Sequence, residues 1–371
     1  MNRLRRTFTF MMLNRSSSRL AAGILLASLA LSACGPQTAE PRAVPSAAPL
    51  SSAVPSPATP VPAPSPSPDP VSVSGLTGLP VTEVPLPRPF AVMINNAPAA
   101  RPQSGLTKAD LLYEVLAEGG ITRLIAIYQS QPGIPKIGPV RSIRPYLIDI
   151  GESYGGVTVH AGGSPAAYAI LQRQHKEDMD EIGRAGAYFW RDKSRKAPHN
   201  LYTSEDKLRA GAEKLGYGGA ADVQGYSFTN PDDVPVGGEP ASEFNVRFLL
   251  QSYTVDYKYD SASRTYTRWV NGKQHLDKDS GAPVEAANVI VMGADHKVLD
   301  EVGRLSVNLE LGGEAMLFQR GEVIRGRWVR KAGDVIRFVR DGKEAVLYPG
   351  VTHFLIVPNS PSFASHVTVT P

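Results

Sequence analysis

The sequence predicts an α+β protein in which a mixed α/β domain is followed by a mostly antiparallel, β-rich domain. Three observations support this prediction. Residues 81–235 mix short apolar runs, typical of buried strands, with segments that begin at helix-capping residues. Residues 236–371 contain period-two strands and hairpin signals. The segment before residue 81 contains a targeting pattern and a Pro/Ala/Ser-rich stretch that cannot build a core.

Residues 1–33 have the pattern of a bacterial lipoprotein signal peptide. Five arginines precede an apolar run over residues 20–31, which is too short for a stable membrane span. The only cysteine of the chain, Cys34, directly follows Ser32 and Ala33. This arrangement resembles the lipobox, in which the cysteine is acylated and becomes the first residue of the mature protein. The alternative is an ordinary signal peptide with a chance cysteine, but lipidation explains a lone thiol in an exported protein. We therefore predict lipidation at Cys34 and an extracytoplasmic protein that is lipid-anchored to a bacterial membrane.

Residues 34–80 are predicted to form a disordered tether behind this anchor. Twelve of the thirty-five residues from 36 to 70 are prolines. At about 3.1 Å per residue in a polyproline-II conformation, the reach of this segment is on the order of 100 Å. Removing residues 1–33 takes away five arginines and no acidic residue, which leaves 34 basic residues (39 less 5) against 35 acidic ones. The mature chain therefore gives no electrostatic indication of nucleic-acid binding.

The α/β domain is assigned to residues 81–235. Apolar runs predict strands over residues 90–94, 121–128 and 157–160. Helices are predicted over residues 143–154 with Ser142 as N-cap, over 165–175 with Ser164 as N-cap, and over 203–215 with a stop at Gly216.

The β-rich domain is assigned to residues 236–371, after a turn-rich crossing over residues 230–240. Strands are predicted over residues 244–259, 265–270, 289–292, 304–311, 315–319 and 353–357. Asn271-Gly272 is a strong signal for a two-residue hairpin.

Several short runs together resemble the YerB-like bacterial lipoproteins, a two-domain family of unknown function. The resemblance covers about residues 81–358 and is carried by the runs at 93–96 (MINN), 101–106 (RPQSGL), 109–114 (ADLLYE), 117–123 (AEGGITR), 136–142 (KIGPVRS), 144–146 (RPY), 160–165 (HAGGSP), 189–191 (FWR), 198–202 (PHNLY), 288–291 (NVIV) and 326–328 (GRW). It implies a lipid-anchored envelope protein and no known reaction, so the candidate site depends on the chemistry of these residues. The candidate binding residues are Asn95, Arg101, Arg123, Arg141, Arg144, Ser164, Arg191 and His199.

Arg141 and Arg144 are the best-supported of these candidate binding residues. A helix that begins near Ser142 would present free N–H groups and a positive dipole end to an anion, and two guanidinium groups would suit a carboxylate or phosphate. The alternative is that both arginines pair with Glu118, Asp149 or Glu152.

Glu114, Glu118 and His160 are the candidate catalytic residues. The two carboxylates are four positions apart and could act as acid and base in glycoside hydrolysis. The alternative is that they pair with Arg123, Arg141 or Arg144. His160 is followed by Gly162 and Gly163, whose N–H groups could bind an anion, whereas the expected role of Ser164 is that of an N-cap.

Two functions remain open from the sequence. The first is a lipoprotein that binds an anionic cell-envelope component, such as a wall glycan or peptide, or scaffolds envelope proteins. The second is a hydrolase acting on glycan or peptidoglycan. No metal-binding motif, P-loop or dinucleotide fingerprint is present, so we predict no metal and no cofactor.

Overall fold

The computed structural model describes residues 72–371. The predictions of the signal peptide, of lipidation at Cys34 and of the tether up to residue 71 lie outside the described residues. Residues 72–80, which the sequence assigned to the tether, are part of the fold instead. Val73 bridges to Pro80, and Leu76 is fully buried in the core because it packs under the main sheet. The fold therefore begins earlier than composition indicated.

The first half of the described chain alternates strands and helices, in agreement with the predicted α/β character. Its elements are β1 (Phe90–Asn95), β2 (Leu111–Leu116), β3 (Thr122–Tyr128), α1 (Pro145–Glu152), β4 (Val157–His160), α2 (Pro165–Arg173), β5 (Asp178–Asp180), β6 (Trp190–Arg191), β7 (Leu201–Tyr202) and α3 (Glu205–Leu215).

The second half consists of strands, most of them antiparallel, as predicted. They are β8 (Glu239–Pro240), β9 (Glu243–Arg247), β10 (Thr254–Asp260), β11 (Thr265–Val270), β12 (Lys273–Gln274), β13 (Glu285–Ala286), β14 (Asn288–Ala294), β15 (His296–Val298), β16 (Leu305–Val307), β17 (Gly313–Gln319), β18 (Glu322–Val329), β19 (Arg337–Arg340), β20 (Lys343–Glu344), β21 (Thr352–Pro358) and β22 (Val367–Thr370). The hairpin at Asn271-Gly272 is confirmed, with both residues at positive φ.

A twelve-stranded sheet runs through both halves in the order β20-β19-β18-β17-β14-β21-β2-β3-β1-β4-β5, with β8 added to β18. Its centre and one end are largely parallel: β14, β21, β2, β1, β4 and β5 run in one direction, and β3 lies antiparallel between β2 and β1. The main sheet continues across the predicted domain boundary at residue 235, because β21 of the second half pairs directly with β2 of the first. The division into two domains at this residue stays a prediction.

Alternation along β1 shows why its sequence is continuously apolar. Ala91 and Met93 face the core beneath α1 and α2, whereas Phe90, Val92 and Ile94 face the core that α3 covers. A central strand with both faces buried has no solvent side and needs no polar residues. In the second half, a six-stranded sheet in the order β12-β11-β10-β9-β22, with β13 added to β11, packs on the main sheet through a third core centred on Phe244 and Phe318.

The three predicted helices are present, but the start of α1 was wrongly predicted. Its N-cap is Arg144, and Ser142 instead donates its hydroxyl hydrogen to the Ala161 carbonyl at 2.9 Å. Ile143 is extended because it pairs with Gly162 and Gly163, and the residue before Pro145 is also restricted to extended backbone. The Ser164 cap of α2 is confirmed, since its Oγ accepts a hydrogen bond from the Ala167 N–H at 3.2 Å.

Candidate functional site

The carboxyl ends of the parallel strands bring most of the predicted site residues to one edge of the main sheet. β1 ends at Asn95, β2 ends just before Glu118, and β4 ends at His160. Arg123 lies at the start of the intervening β3, directly across from Asn95. In open α/β sheets, this edge is where ligands usually bind.

Three arginines meet at this edge and are called the arginine cluster: Arg123, Arg141 and Arg144. The backbone positions Arg141 beside the end of β1, because its N–H donates to the Met93 carbonyl at 2.8 Å. Arg144 is held at the first turn of α1. The side chains are close together: burial and then the charge of Arg144 lower the pKa of Arg141, and the charges of both arginines add to the effect of burial at Arg123.

Glu118 is the carboxylate that pairs with the arginine cluster. Arg144 donates to both of its oxygens, with Nη2 to Oε2 at 2.8 Å. Burial raises the pKa of Glu118, but the hydrogen bond and the charge of Arg144 outweigh it and hold that pKa below its ordinary value. Pairing with an arginine was the alternative to a catalytic role for Glu118, and this pair leaves the cluster with two positive charges in excess.

Arg123 has the least compensated of the three charges. Its side chain is only 7% exposed, and within residues 72–371 its Nε has no hydrogen-bond partner. Burial, together with the charges of Arg144 and Arg141, lowers the pKa of Arg123 to about 9. Because a guanidinium stays charged in proteins, Arg123 is a buried positive charge that an anion would stabilise.

Asn95 and His199 border the arginine cluster. The Asn95 Nδ2 donates to the His199 Nδ1 at 2.9 Å, which places the single N–H proton of a neutral imidazole on Nε2. Burial and then the charges of Arg141 and Arg195 lower the pKa of His199. His199 is therefore a neutral hydrogen-bonding group beside the arginines at neutral pH.

Glu114 lies in a separate, fully buried polar network. Its carboxylate pairs with Arg268 of β11 at 2.7 Å and accepts hydrogen bonds from Thr122 at 2.6 Å and from Tyr253. Asn96 donates to the same carboxylate at 3.2 Å. Burial alone would lower the pKa of Arg268, but Glu114 and the nearby tyrosines raise it above its ordinary value.

The network continues from Arg268 into both halves of the chain. Arg268 donates to His275 Nδ1 and to Tyr257, both at 3.1 Å, and His275 Nε2 donates to Gln103 Oε1 at 2.7 Å. Gln103 in turn donates to the Asn96 side-chain carbonyl at 3.0 Å. Every ionic group of the network has a partner, which is what a buried charge requires.

Sequence reasoning missed Arg268, although one signal was present. Tyr266, Arg268 and Val270 share the buried face of β11, whereas Thr265, Thr267 and Trp269 face outward. A charged residue in phase with buried apolar neighbours indicates a partner across the core. The predicted binding residue Arg101 borders this network, with its guanidinium 5.2 Å from the centre of the Tyr253 ring.

The remaining predicted residues have other partners. His160 is fully buried and its Nδ1 donates to the Gly162 carbonyl at 3.0 Å. Its Nε2 lies 3.3 Å from Asp178 but has no hydrogen-bond partner within residues 72–371. The Gly162 N–H, predicted to be available to an anion, donates instead to Asp180 at 2.8 Å. Arg191 pairs with Glu181 at 3.2 Å on the surface.

Two further findings describe residues 72–371. No group of three or more His, Cys, Asp and Glu side chains in this range is arranged to hold a metal ion. No helix in this range is long and apolar enough to cross a membrane.

Comparison with known proteins identifies the family of this chain. Residues 76–218 match the N-terminal domain, and residues 244–354 the C-terminal domain, of a protein family of unknown function, DUF3048. The chain is 40% identical over 291 residues to the candidate lipoprotein YerB of Bacillus subtilis (strain 168), covering 76% of this chain and 86% of that relative. The crystal structure of the YerB protein from Bacillus subtilis superposes with a TM-score of 0.74 at 36% identity, covering 81% of this chain and all of that one. The arginine cluster and the Glu114–Arg268 network lie within these matched regions, and the chain belongs to the YerB-like DUF3048 family.

Proposed function

We propose that this protein is an extracytoplasmic lipoprotein that binds an anionic group of the cell envelope at the arginine cluster. The lipoprotein part rests on the pattern around Cys34 and on the candidate lipoprotein YerB among its relatives. The binding part rests on Arg123, whose buried Nε has no hydrogen-bond partner in the described part of the chain and which has two further arginines beside it.

The electrostatics of the edge favour an anionic ligand. Glu118 neutralises one of the three arginine charges, so two remain for a phosphate or carboxylate. Arg141 is half-buried, and within residues 72–371 no carboxylate lies within ion-pair distance of it. Guanidinium groups can hold both oxygens of such an anion at once, and the partly buried setting strengthens the interaction.

The hydrolase alternative lacks a comparable observation. General acid or base catalysis needs a carboxylate that can exchange a proton with a substrate. Glu114 is enclosed with Arg268, and Glu118 is held by Arg144. The geometry therefore supports binding better than hydrolysis.

The test of anion binding uses residues 66–371, without the acylated cysteine. Residues 72–371 belong to one compact unit, and the solved relative corresponds to a similar length of this chain, so this fragment should fold alone. Calorimetric titration with inorganic phosphate and co-sedimentation with purified peptidoglycan would compare Arg141→Ala with Arg325→Ala, an exposed arginine on β18. Losing a charge-assisted hydrogen bond should weaken binding by about tenfold or more in Arg141→Ala only. Equal binding by both variants would contradict the proposal.

The proposed anchor has its own test in the producing cell. Cys34→Ser removes the only thiol of the chain, so metabolic labelling with a fatty acid should disappear from the protein. The unlabelled variant should also leave the membrane fraction. Persistent labelling of Cys34→Ser would show that the acyl group is attached at another residue.

A further inference from the structure

A group of exposed apolar side chains surrounds the loop between β2 and β3. Leu250 packs against Gly120, where an added Cβ would lie 2.8 Å from its Cγ, and Leu249 would lie 3.4 Å from the same point. On the other side, the turn of the β15–β16 hairpin approaches so closely that a Cβ on Gly303 would be 3.9 Å from the Gly119 N. Three segments distant in sequence therefore meet at one place.

Several of these apolar side chains are more than half exposed to solvent. Leu249 is 65% exposed, Val302 64% and Val298 63%, and the group also includes Ile121, Leu250 and Leu299. We call these six residues the apolar rim. Single exposed apolar residues are ordinary, but a group rimmed by polar residues marks an interaction surface.

The apolar rim adjoins the arginine cluster through the same loop. Glu118, which Arg144 holds, immediately precedes Gly119, and Arg123 follows Ile121 by two residues. The β15–β16 hairpin does not change the net positive charge of this edge, because its two acidic and two basic residues offset one another. Apolar side chains and excess positive charge therefore share one edge of the sheet.

We propose that this edge docks on an anionic lipid bilayer, with lipid phosphates at the arginine cluster and the apolar rim inserted between headgroups. The inference rests on the proposed function, because it names the source of the anion. Amphipathic surfaces bind membranes through buried apolar area and attraction to anionic headgroups, and a basic surface strengthens the hold of an acyl anchor.

The path of the chain allows this docking. The described chain enters at the opposite edge, where the Gly350 N–H donates to the Thr77 carbonyl just before β21. A strand of seven residues spans only about 23 Å, whereas the predicted tether reaches on the order of 100 Å. The tether can therefore return the carboxyl edge to the membrane that holds the anchor.

The experiment is co-sedimentation of unacylated residues 66–371 with vesicles. One set contains phosphatidylcholine alone, and the other contains equimolar phosphatidylcholine and phosphatidylglycerol. Binding to the anionic vesicles only is expected. Leu249→Ser and Arg141→Ala should each weaken it by about tenfold, because each removes one component of the surface. Val236→Ser is the matched control, since this exposed valine lies in a loop outside the apolar rim.

Different outcomes separate this inference from the proposed function. Phosphate binding that depends on Arg141 without vesicle binding would overturn the lipid inference and leave the proposed function intact. If Arg141→Ala binds both phosphate and vesicles as well as the parent protein does, the lipid inference and the proposed function are both overturned. Vesicle binding unaffected by Leu249→Ser would also contradict the lipid inference, as would self-association through Leu249 in the absence of vesicle binding.

Discussion

Glu114 and Arg268 are 154 residues apart in the sequence and form an ion pair at 2.7 Å in which both side chains are buried. The pair joins β2 of the main sheet to β11 of the six-stranded sheet. A carboxylate predicted to be catalytic is thus the centre of a contact between the two halves of the chain.

The first prediction concerns this ion pair. Arg268→Met should lower the free energy of unfolding by about 3–5 kcal/mol, because the buried Glu114 carboxyl group would lose its ionic partner. The double variant Glu114→Gln, Arg268→Met should recover part of that loss. Denaturant titration measures both, with the exposed Arg325→Met as control. A loss below about 1 kcal/mol in the single variant would show that water or another group compensates Glu114.

The second prediction concerns acid sensitivity. Burial, followed by the charges of Arg268 and Arg101, lowers the pKa of His275 well below its ordinary value, and burial with Arg268 does the same for His353. Each histidine binds its proton more readily in the unfolded chain. Stability is therefore complete above the unfolded pKa of about 6.5 and decreases as pH falls below it, by at most about 1.4 kcal/mol per pH unit for each histidine.

His275→Gln should remove one of these contributions while keeping a hydrogen-bonding side chain. The free energy of unfolding, measured at neutral pH and at about one unit below the ordinary histidine pKa, should then change less than in the parent protein. The same variant of His353 should behave alike. An unchanged pH dependence in both variants would assign the acid sensitivity to other groups.

The third prediction concerns the counter-charge of the arginine cluster. Glu118→Gln removes a negative charge without changing the shape of the side chain. Affinity for inorganic phosphate should rise by roughly fivefold, since about 1 kcal/mol of opposing charge is removed. Arg141→Ala should change the affinity in the opposite direction. A fall in affinity for Glu118→Gln would mean that Glu118 contacts the ligand, which would revive its role as a catalytic candidate.

The fourth prediction separates capping from binding at Ser164. Its Oγ accepts a hydrogen bond from the Ala167 N–H, so Ser164→Ala should lower the free energy of unfolding by about 1 kcal/mol. Phosphate affinity should stay the same, because the hydroxyl acts on the start of α2. Thermal denaturation and calorimetric titration of one sample test both statements. A stable variant with weakened phosphate binding would place Ser164 in the site instead.

Local pattern was enough to predict several elements. The apolar run of β1, the Ser164 cap and the Asn271-Gly272 hairpin follow from interactions between residues close in the chain. The start of α1 was missed because Ile143 pairs with the glycines after β4, twenty residues further along. The strand β2 was not predicted, since its apolar run contains Glu114, whose partner is far away in sequence.

The targeting pattern, the α+β character and the family resemblance all follow from the order of residues, because short-range chemistry determines signal recognition, helix capping and strand periodicity. The partners of the charged side chains do not follow from it. Glu114 and Glu118, four residues apart, bind arginines in different parts of the fold, Arg268 and Arg144. Which charge is neutralised and which, as at the Arg123 Nε, has no hydrogen-bond partner within residues 72–371 depends on strands that are distant in sequence and adjacent only after folding.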